Sequence, residues 1–262
     1  MKPLRITFTT LTAVIVILWA SSGLSLEWEM DSLADSEYVI IQITDNSYTD
    51  DEPKINNEGT IVWEADAPTG WEIYLYDGTT SIKISSNPHE DYYPQINDFG
   101  DVAWEGYDGE DWEIFLYNGT TVEQLTNNSY DEGETRISKA GAVWEAQEAS
   151  DYEVVLYDFT GTNPLTDNSY HDISPRVSDT GSVAWLQNDG SGNEVMLYDG
   201  ATTERISSDS SDNNSPQISD AGVVWRGHDG SNYQKSVGTM RSFLPGPVSP
   251  YPTSRPTAQM GQ

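Results

Sequence analysis

Short apolar runs recur along the chain at a fixed interval. Ile61-Val62-Trp63, Val102-Ala103-Trp104, Ala142-Val143-Trp144, Val183-Ala184-Trp185 and Val223-Val224-Trp225 each end in tryptophan, with steps of 41, 40, 41 and 40 residues. Two further columns keep the same step. Leu75-Tyr76-Asp77-Gly78, Leu116-Tyr117-Asn118-Gly119, Leu156-Tyr157-Asp158 and Leu197-Tyr198-Asp199-Gly200 follow the tryptophans. Pro53-Lys54-Ile55, Pro94-Gln95-Ile96, Thr135-Arg136-Ile137, Pro175-Arg176-Val177 and Pro216-Gln217-Ile218 precede them. Three columns with one period define a structural repeat.

Within a unit the pattern predicts four short strands. In the second unit they cover 94–97, 102–105, 112–117 and 122–125, separated by turns at Asp98-Phe99-Gly100, Tyr107-Asp108-Gly109 and Asn118-Gly119-Thr120. Proline opens the first strand, where a missing N–H is tolerated. No segment sustains a 3.6-residue apolar period, so almost no helix is expected after residue 25. A stack of helix pairs would need that period, and a β-sandwich would not impose the repeat. Four antiparallel strands in a unit of about 40 residues is a propeller blade. The fold class expected is therefore all-β, a five-bladed β-propeller over 37–238. The segment 37–44, with Tyr38-Val39-Ile40-Ile41-Gln42-Ile43 inside it, matches a unit's fourth strand and is predicted to complete the last blade, closing the ring. The last unit departs from the pattern, reading Tyr233-Gln234-Lys235-Ser236-Val237-Gly238 where earlier units read Trp-Glu-Ile-Tyr-Leu-Tyr. Acidic residues stop there and prolines crowd in, so 239–262 reads as a disordered tail, native or the truncated or frameshifted end of a larger propeller.

The N-terminus changes the picture of location. Lys2 and Arg5 precede an uncharged apolar stretch from Ile6 to Ala20, and small residues follow, so 1–25 reads as a cleaved export signal. The chain then belongs outside the cytoplasm: secreted, periplasmic or on the cell surface. Lys and Arg number 12 against 43 Asp and Glu, a formal net charge of -31. Such a surface repels nucleic acid and anionic lipid, which excludes both as partners and leaves the export signal as the one membrane contact. There is no cysteine, so disulfides, thiolate metal sites and a cysteine nucleophile are excluded.

The repeat resembles the TolB-type propeller unit, in which a proline-led turn, an apolar strand, Ile-Tyr, a turn with Asp and Gly, and Leu-Thr follow one another. Pro94, Gly100, Ile73-Tyr74 and Leu125-Thr126 carry the likeness, which covers about residues 38–230. The family's Ser-Pro-Asp-Gly turn is replaced here by Asn56-Asn57-Glu58-Gly59, Asn97-Asp98-Phe99-Gly100 or Ser178-Asp179-Thr180-Gly181. The extra N-terminal domain of TolB is missing, so a Tol-system role is not implied. The acidic Asp-Gly-Thr-Thr style is closer to microbial cell-surface propellers. The resemblance implies the fold, and a place among secreted or surface proteins, more than any one activity.

Candidate chemistry gathers in the loops that lead from each fourth strand to the next first strand. One column reads Asp50, Asp91, Glu132, Asp172 and Asn213, a carboxylate ring expected near the channel mouth. An oxygen-only set suits a hard cation such as Ca2+. The competing reading is Asx-type turns, and recurrence in every blade favours it; no cofactor is required. Tyr48, Tyr130 and Tyr170 share another loop column with His89 and Ser211; aromatics there could stack on sugars, grip cations or pack between blades. Asp189-Gly190-Ser191-Gly192-Asn193-Glu194 lacks full Ca2+-loop spacing and reads as a turn. His89 and His171 lack a third ligand and read as loop residues. No Gly-x-Ser-x-Gly elbow occurs, and no carboxylate pair stands out, so no catalytic residue is assigned. The expectation is a monomeric, non-enzymatic binding or scaffold module for an extracellular protein or polysaccharide. The alternatives are a secreted carboxylate-dependent hydrolase or lyase, and a fragment without independent function.

Overall fold

The computed structural model of the chain describes residues 40–85, 87–148, 150–207, 212–228 and 233–234. The export signal at 1–25 and the tail at 239–262 lie outside the described residues. Among the described residues no helix is long and apolar enough to cross a membrane.

Among the described residues nineteen strands form five antiparallel sheets in sequence order. The first contains β1 (Asp50–Ile55), β2 (Ile61–Ala67), β3 (Gly70–Tyr76) and β4 (Ser81–Lys83). The second contains β5 (Asp91–Ile96), β6 (Val102–Tyr107), β7 (Trp112–Tyr117) and β8 (Val122–Gln124). The third contains β9 (Glu132–Ser138), β10 (Gly141–Glu148), β11 (Asp151–Tyr157) and β12 (Thr162–Pro164). The fourth contains β13 (His171–Val177), β14 (Val183–Asn188), β15 (Asn193–Tyr198) and β16 (Thr203–Arg205). The fifth contains β17 (Asn214–Ser219), β18 (Gly222–His228) and β19 (Tyr233–Gln234). Strands pair with their chain neighbours throughout, so each sheet is a four-stranded meander except the fifth, which has three strands among the described residues.

The expected ring-closing strand over 38–43 is not among these. Residues 38 and 39 lie outside the described residues, and 40–44 are not in a strand. The strand it would have paired with is described only as Tyr233–Gln234, in the unit where the sequence loses its apolar alternation.

Why each run is apolar at consecutive positions follows from the packing. Residues alternate sides along a strand, and both sides of the middle strands are covered. Trp104 and Val102 face Val62, Ile73 and Leu75 of the first sheet, while Ala103 faces Ala142, Trp144 and Val155 of the third. The same alternation places Val143 with Val183 and Trp185, and Ala184 with Val223. Four apolar clusters thus weld successive sheets face to face.

First strands begin about three residues earlier than the prolines suggest, because each contains a bulge. Pairing slips between Asp51 and Lys54, Tyr92 and Gln95, and Ile173 and Arg176, with like slips in β9 and β17. Glu52, Tyr93, Glu134, Ser174 and Ser215 sit at the slips with φ of 47, 56, 52, 56 and 52°. A bulge absorbs the residue whose N–H proline cannot supply. At one rim the β1–β2 type turns join each unit to the next at the repeat step. Asn56 Nδ2 donates to Asn97 O at 3.0 Å, and Asn97 Nδ2 to Ser138 O at 3.0 Å. Likewise Asn57 N donates to Asp98 Oδ1 at 3.0 Å, Lys139 N to Asp179 Oδ1 at 3.2 Å and Thr180 N to Asp220 Oδ1 at 3.1 Å. Gly141, φ 154°, opens β10 where a Cβ would stand 2.0 Å from Tyr157 O, so no larger residue fits.

Candidate functional site

The carboxylate column lies in strands rather than loops, and three of its four members are buried. Asp91 and Asp172 are 0% exposed and Glu132 is 4% exposed. Their work is internal. The indole N–H of the same unit's tryptophan donates to the carboxylate: Trp63 to Asp50 at 3.0 Å, Trp104 to Asp91 at 2.7 Å and Trp185 to Asp172 at 2.7 Å. An asparagine four residues upstream completes the motif. Its Oδ1 accepts the N–H of the residue two positions on, as Asn87 does from His89 at 2.8 Å and Asn168 from Tyr170 at 2.7 Å. Its Nδ2 donates to the acid, Asn87 to Asp91 at 2.9 Å and Asn168 to Asp172 at 2.7 Å. This is the Asx turn weighed above, extended into a tether for the core tryptophan. Burial holds the Asp91 carboxyl up at about 6, against the pull of Trp104 and Asn87. The third unit differs: Asn128 Nδ2 still reaches Glu132, at 2.5 Å, but Trp144 Nε1 has no hydrogen-bond partner among the described residues. The extra methylene carries the Glu132 carboxyl to Glu113; burial and that neighbour raise it well above the usual range. Asp50 is exposed and borders a cleft of about 150 Å3 with Ile43, Thr44, Asp51, Pro53, Ile61 and Trp63. That is smaller than the roughly 300 Å3 at which small-molecule sites begin.

Two further acid columns also serve the scaffold. Glu72 and Glu194 on the third strands accept from Ser85 Oγ (2.6 Å) and from Ser207 Oγ. Those hydroxyls in turn accept the strand N–H of Ile73 and Val195 at 3.0 Å each. In the first three units a glutamate follows the tryptophan and reaches across to the next sheet's bulge. Glu64 Oε2 accepts Tyr93 N at 2.6 Å, Glu105 Oε1 accepts Thr135 N at 3.3 Å and Glu145 Oε1 accepts Ser174 N at 2.5 Å. Burial raises Glu105 to about 7 and Glu145 to about 6.

The tyrosine column is divided. Tyr48 and Tyr170 are exposed, whereas Tyr130 packs on the second interface and donates its hydroxyl to Glu148 Oε1 at 3.1 Å. Asp189 caps a plain hairpin turn, accepting Ser191 N at 2.9 Å. The structure adds a surface that the columns did not reveal. Six rings run in contact across the first two sheets, at the rim where β2 turns into β3 and β6 into β7. Centroids are 5.6 Å apart for Trp71 and Tyr92, 5.6 Å for Tyr92 and Trp112, 5.5 Å for Trp112 and Tyr107, and 5.8 Å for Tyr107 and His89. Tyr93 joins at 5.8 Å from Tyr92. Tyr93 is exposed and the other five half-buried, so the rings offer faces or edges to solvent. Tyr92 donates its hydroxyl to Glu90 Oε2 at 2.8 Å, leaving a carboxylate beside the rings. The third and fourth units carry Gln147 and Asn188 where Tyr107 stands, and Gly133 and Ile173 where Tyr92 stands. Here the repeat symmetry is broken.

No family model matches the chain, and no curated protein does. Among solved structures the tricorn protease aligns over 72% of this chain and 21% of its own, at 15% identity and a TM-score of 0.55. Sheets packed face to face in chain order, each a meander, agree with that likeness.

The chain is a β-propeller.

TolB from Acinetobacter baumannii is also similar, at 17% identity and a TM-score of 0.49, over 73% of this chain and 52% of that one. So is the β-propeller domain of the Trilobed protease from Pyrococcus furiosus, at 12% identity and a TM-score of 0.39, over 70% and 79%. The propeller spans about half the length of that TolB chain.

Proposed function

We propose that the chain is an exported, non-enzymatic binding propeller, monomeric and displayed outside the cytoplasm, and that its ligand is a polysaccharide held on the aromatic strip. The observation that carries this reading is the strip itself. Trp71, Tyr92, Trp112 and Tyr107 touch in series and are half-exposed in blades whose other columns repeat. Sugar rings stack on aromatic faces through apolar C–H groups, and Glu90 beside Tyr92 supplies an acceptor for hydroxyls. Support for a binding role over catalysis comes from the repeated acids. Asp91, Asp172, Glu72 and Glu145 spend oxygens on indole, hydroxyl or backbone donors, which suits a scaffold. The export signal at 1–25, a propeller over 37–238 and a tail over 239–262 complete the proposed organisation.

A panel of soluble polysaccharides in affinity electrophoresis tests the reading. At least one should retard the protein, and Trp112→Ala or Tyr92→Ala should weaken that binding about tenfold, or ~1.4 kcal/mol each. Release of new reducing ends by the purified protein would instead favour the hydrolase or lyase alternative.

A further inference from the structure

The rings of the strip stand on two hairpins, β2–β3 and β6–β7, and on the segment 87–93 that enters β5. None of these segments carries a Lys or Arg. They carry acids, and several lie against the rings. Glu90 Oε2 accepts the Tyr92 hydroxyl at 2.8 Å, and a Cβ added to Gly70, next to Trp71, would stand 3.5 Å from Glu90 Cγ. Asp66 pairs with Trp71 in the β2–β3 register. Asp108 and Glu110 occupy the turn between Tyr107 and Trp112, where Asp108 Oδ1 accepts Glu110 N at 2.9 Å. Asp131 Oδ1, from the next blade, accepts Trp112 N at 3.1 Å. Asp66, Glu90, Glu110 and Asp131 are exposed, and Asp108 is half-buried.

The cations of the described chain stand elsewhere. Lys54, Arg136 and Arg176 are on first strands, Lys83 and Arg205 on fourth strands, and Lys139 is in the β9–β10 turn. Their ion pairs go to Glu52, Glu134, Glu72, Glu194, Asp98 and Asp179. Among the described residues no ion pair reaches Asp66, Glu90, Asp108, Glu110 or Asp131. Loss of solvent, then the carboxylates of Glu113, Asp108, Asp131 and Glu110, hold the Asp111 carboxyl above its usual range, a sign of the negative field beside Trp112.

That field sorts ligands by charge. An anionic polymer is repelled, a neutral one gains nothing, and a cationic one is drawn in. The rings act in the same sense, because aromatic faces attract ammonium groups within about 6 Å of a centroid. Neighbouring centroids along the strip are 5.6, 5.6 and 5.5 Å apart. An ammonium seated over the boundary between two rings is therefore within reach of both.

We propose that the polysaccharide of this site is an amino-sugar polymer with free ammonium groups, its sugar faces on Trp71, Tyr92 and Trp112 and its ammonium groups beside Glu90, Asp108 and Asp131. The inference rests on the polysaccharide reading of the strip. An amino sugar matches both features of the surface, with C–H groups for the rings and positive charge for the acids. A lysine-rich peptide brings its charge on flexible stems and has no rigid face to stack.

The test measures, by calorimetry, binding of the glucosamine hexamer and of its N-acetylated counterpart to the full-length protein. It is done at about pH 6, where free carboxylates are ionised and amines protonated. Salt at about 0.15 M suppresses long-range attraction to the acidic surface as a whole. The glucosamine hexamer should bind at least about tenfold tighter. Trp112→Ala should weaken both hexamers, because both stack on its ring. The triple variant Glu90→Gln, Asp108→Asn, Asp131→Asn keeps acceptors for the Tyr92 hydroxyl and for the Glu110 and Trp112 N–H groups. It should remove the preference for the free amine and leave the N-acetylated hexamer unaffected. The control triple Asp77→Asn, Asp158→Asn, Asp199→Asn removes as many charges at the opposite rim, where the second blade already carries Asn118, and should leave the preference intact. Equal affinity for the two hexamers, or a preference for the N-acetylated one, overturns the amino-sugar inference and leaves the polysaccharide reading in place. Retardation by a neutral or acidic polysaccharide with no binding of either hexamer does the same. Equal losses in the two triple variants would trace the attraction to net charge and also overturn it, as would hexalysine binding as tightly as the glucosamine hexamer. If neither hexamer binds and no polysaccharide retards the protein, the polysaccharide reading itself falls.

Discussion

Trp104→Ala should lower the unfolding free energy by about 4–5 kcal/mol, a large share of what holds a domain together. The indole is fully buried among Val62, Ile73, Leu75, Val102 and Phe115, stacked on Phe115 at 5.8 Å, so its removal empties the interface between the first two blades. It also takes one donor from Asp91, a carboxyl with no route to solvent. Trp104→Phe separates the two effects, since it keeps much of the volume and removes the N–H. Its cost is expected to exceed that of Trp144→Phe by about 1–2 kcal/mol, because the Trp144 N–H has no acceptor to lose. Urea unfolding of the three variants measures this. Equal costs for the two phenylalanine variants would mean that the tether contributes nothing.

The second large effect is a loss of stability between pH 4.5 and 7. Glu105 and Glu145 ordinarily titrate near 4.5, but in the folded propeller burial raises them to about 7 and about 6. Asp91 is raised to about 6 in the same way. A group with a raised folded value holds its proton longer in the native than in the unfolded chain. Its contribution is therefore complete below the unfolded value and is lost as pH climbs through the folded one. For Glu105 alone the loss is up to about 3 kcal/mol. The groups facing Glu105 are Glu134, which raises it, and Arg136, which lowers it; Glu145 meets the same two and Arg176. The opposite limb comes from the turns. Asp77, held down at about 2 by the Thr80 and Thr79 N–H groups, favours the fold above its ordinary value of 3.8 and loses that effect as pH falls to 2. Tm should therefore peak near pH 4–5 and decline toward neutrality. Glu105→Gln and Glu145→Gln keep an oxygen for the bulge N–H and should flatten the decline. A decline just as steep in the double variant would place its origin in the overall negative charge instead.

Much of this was legible in the sequence. The period, the strands of the middle columns and the turn residues follow from apolar runs and from Gly, Asn and Asp at fixed offsets. The first strands were harder, because a proline preceded by a left-handed residue marks a bulge inside a strand, and it reads as the strand's start. The error carried over to the site. Placed in loops, Asp91, Glu132 and Asp172 looked like a rim of free acids; placed in strands, Asp91 and Asp172 meet the indole of a tryptophan 13 residues on, and Glu132 turns to Glu113 instead. The Trp-Glu pairs at 63–64, 104–105 and 144–145 were visible, but their acceptors serve donors 29 or 30 residues away in the next blade. The aromatic strip draws on several columns at once, so no single column announces it.

The rim bonds have one more consequence, which concerns descent more than stability. Asn56 to Asn97, Asn97 to Ser138, Lys139 to Asp179 and Thr180 to Asp220 each join one position to its own counterpart 40 or 41 residues later. An unequal crossover between two copies of the gene segment would splice one unit onto a later one and recreate the same bond at the new junction. Units can therefore be gained or lost whole without a mismatched seam. The aromatic strip has no such duplicate: a crossover that removed the second unit would leave a foldable chain and erase it in one step.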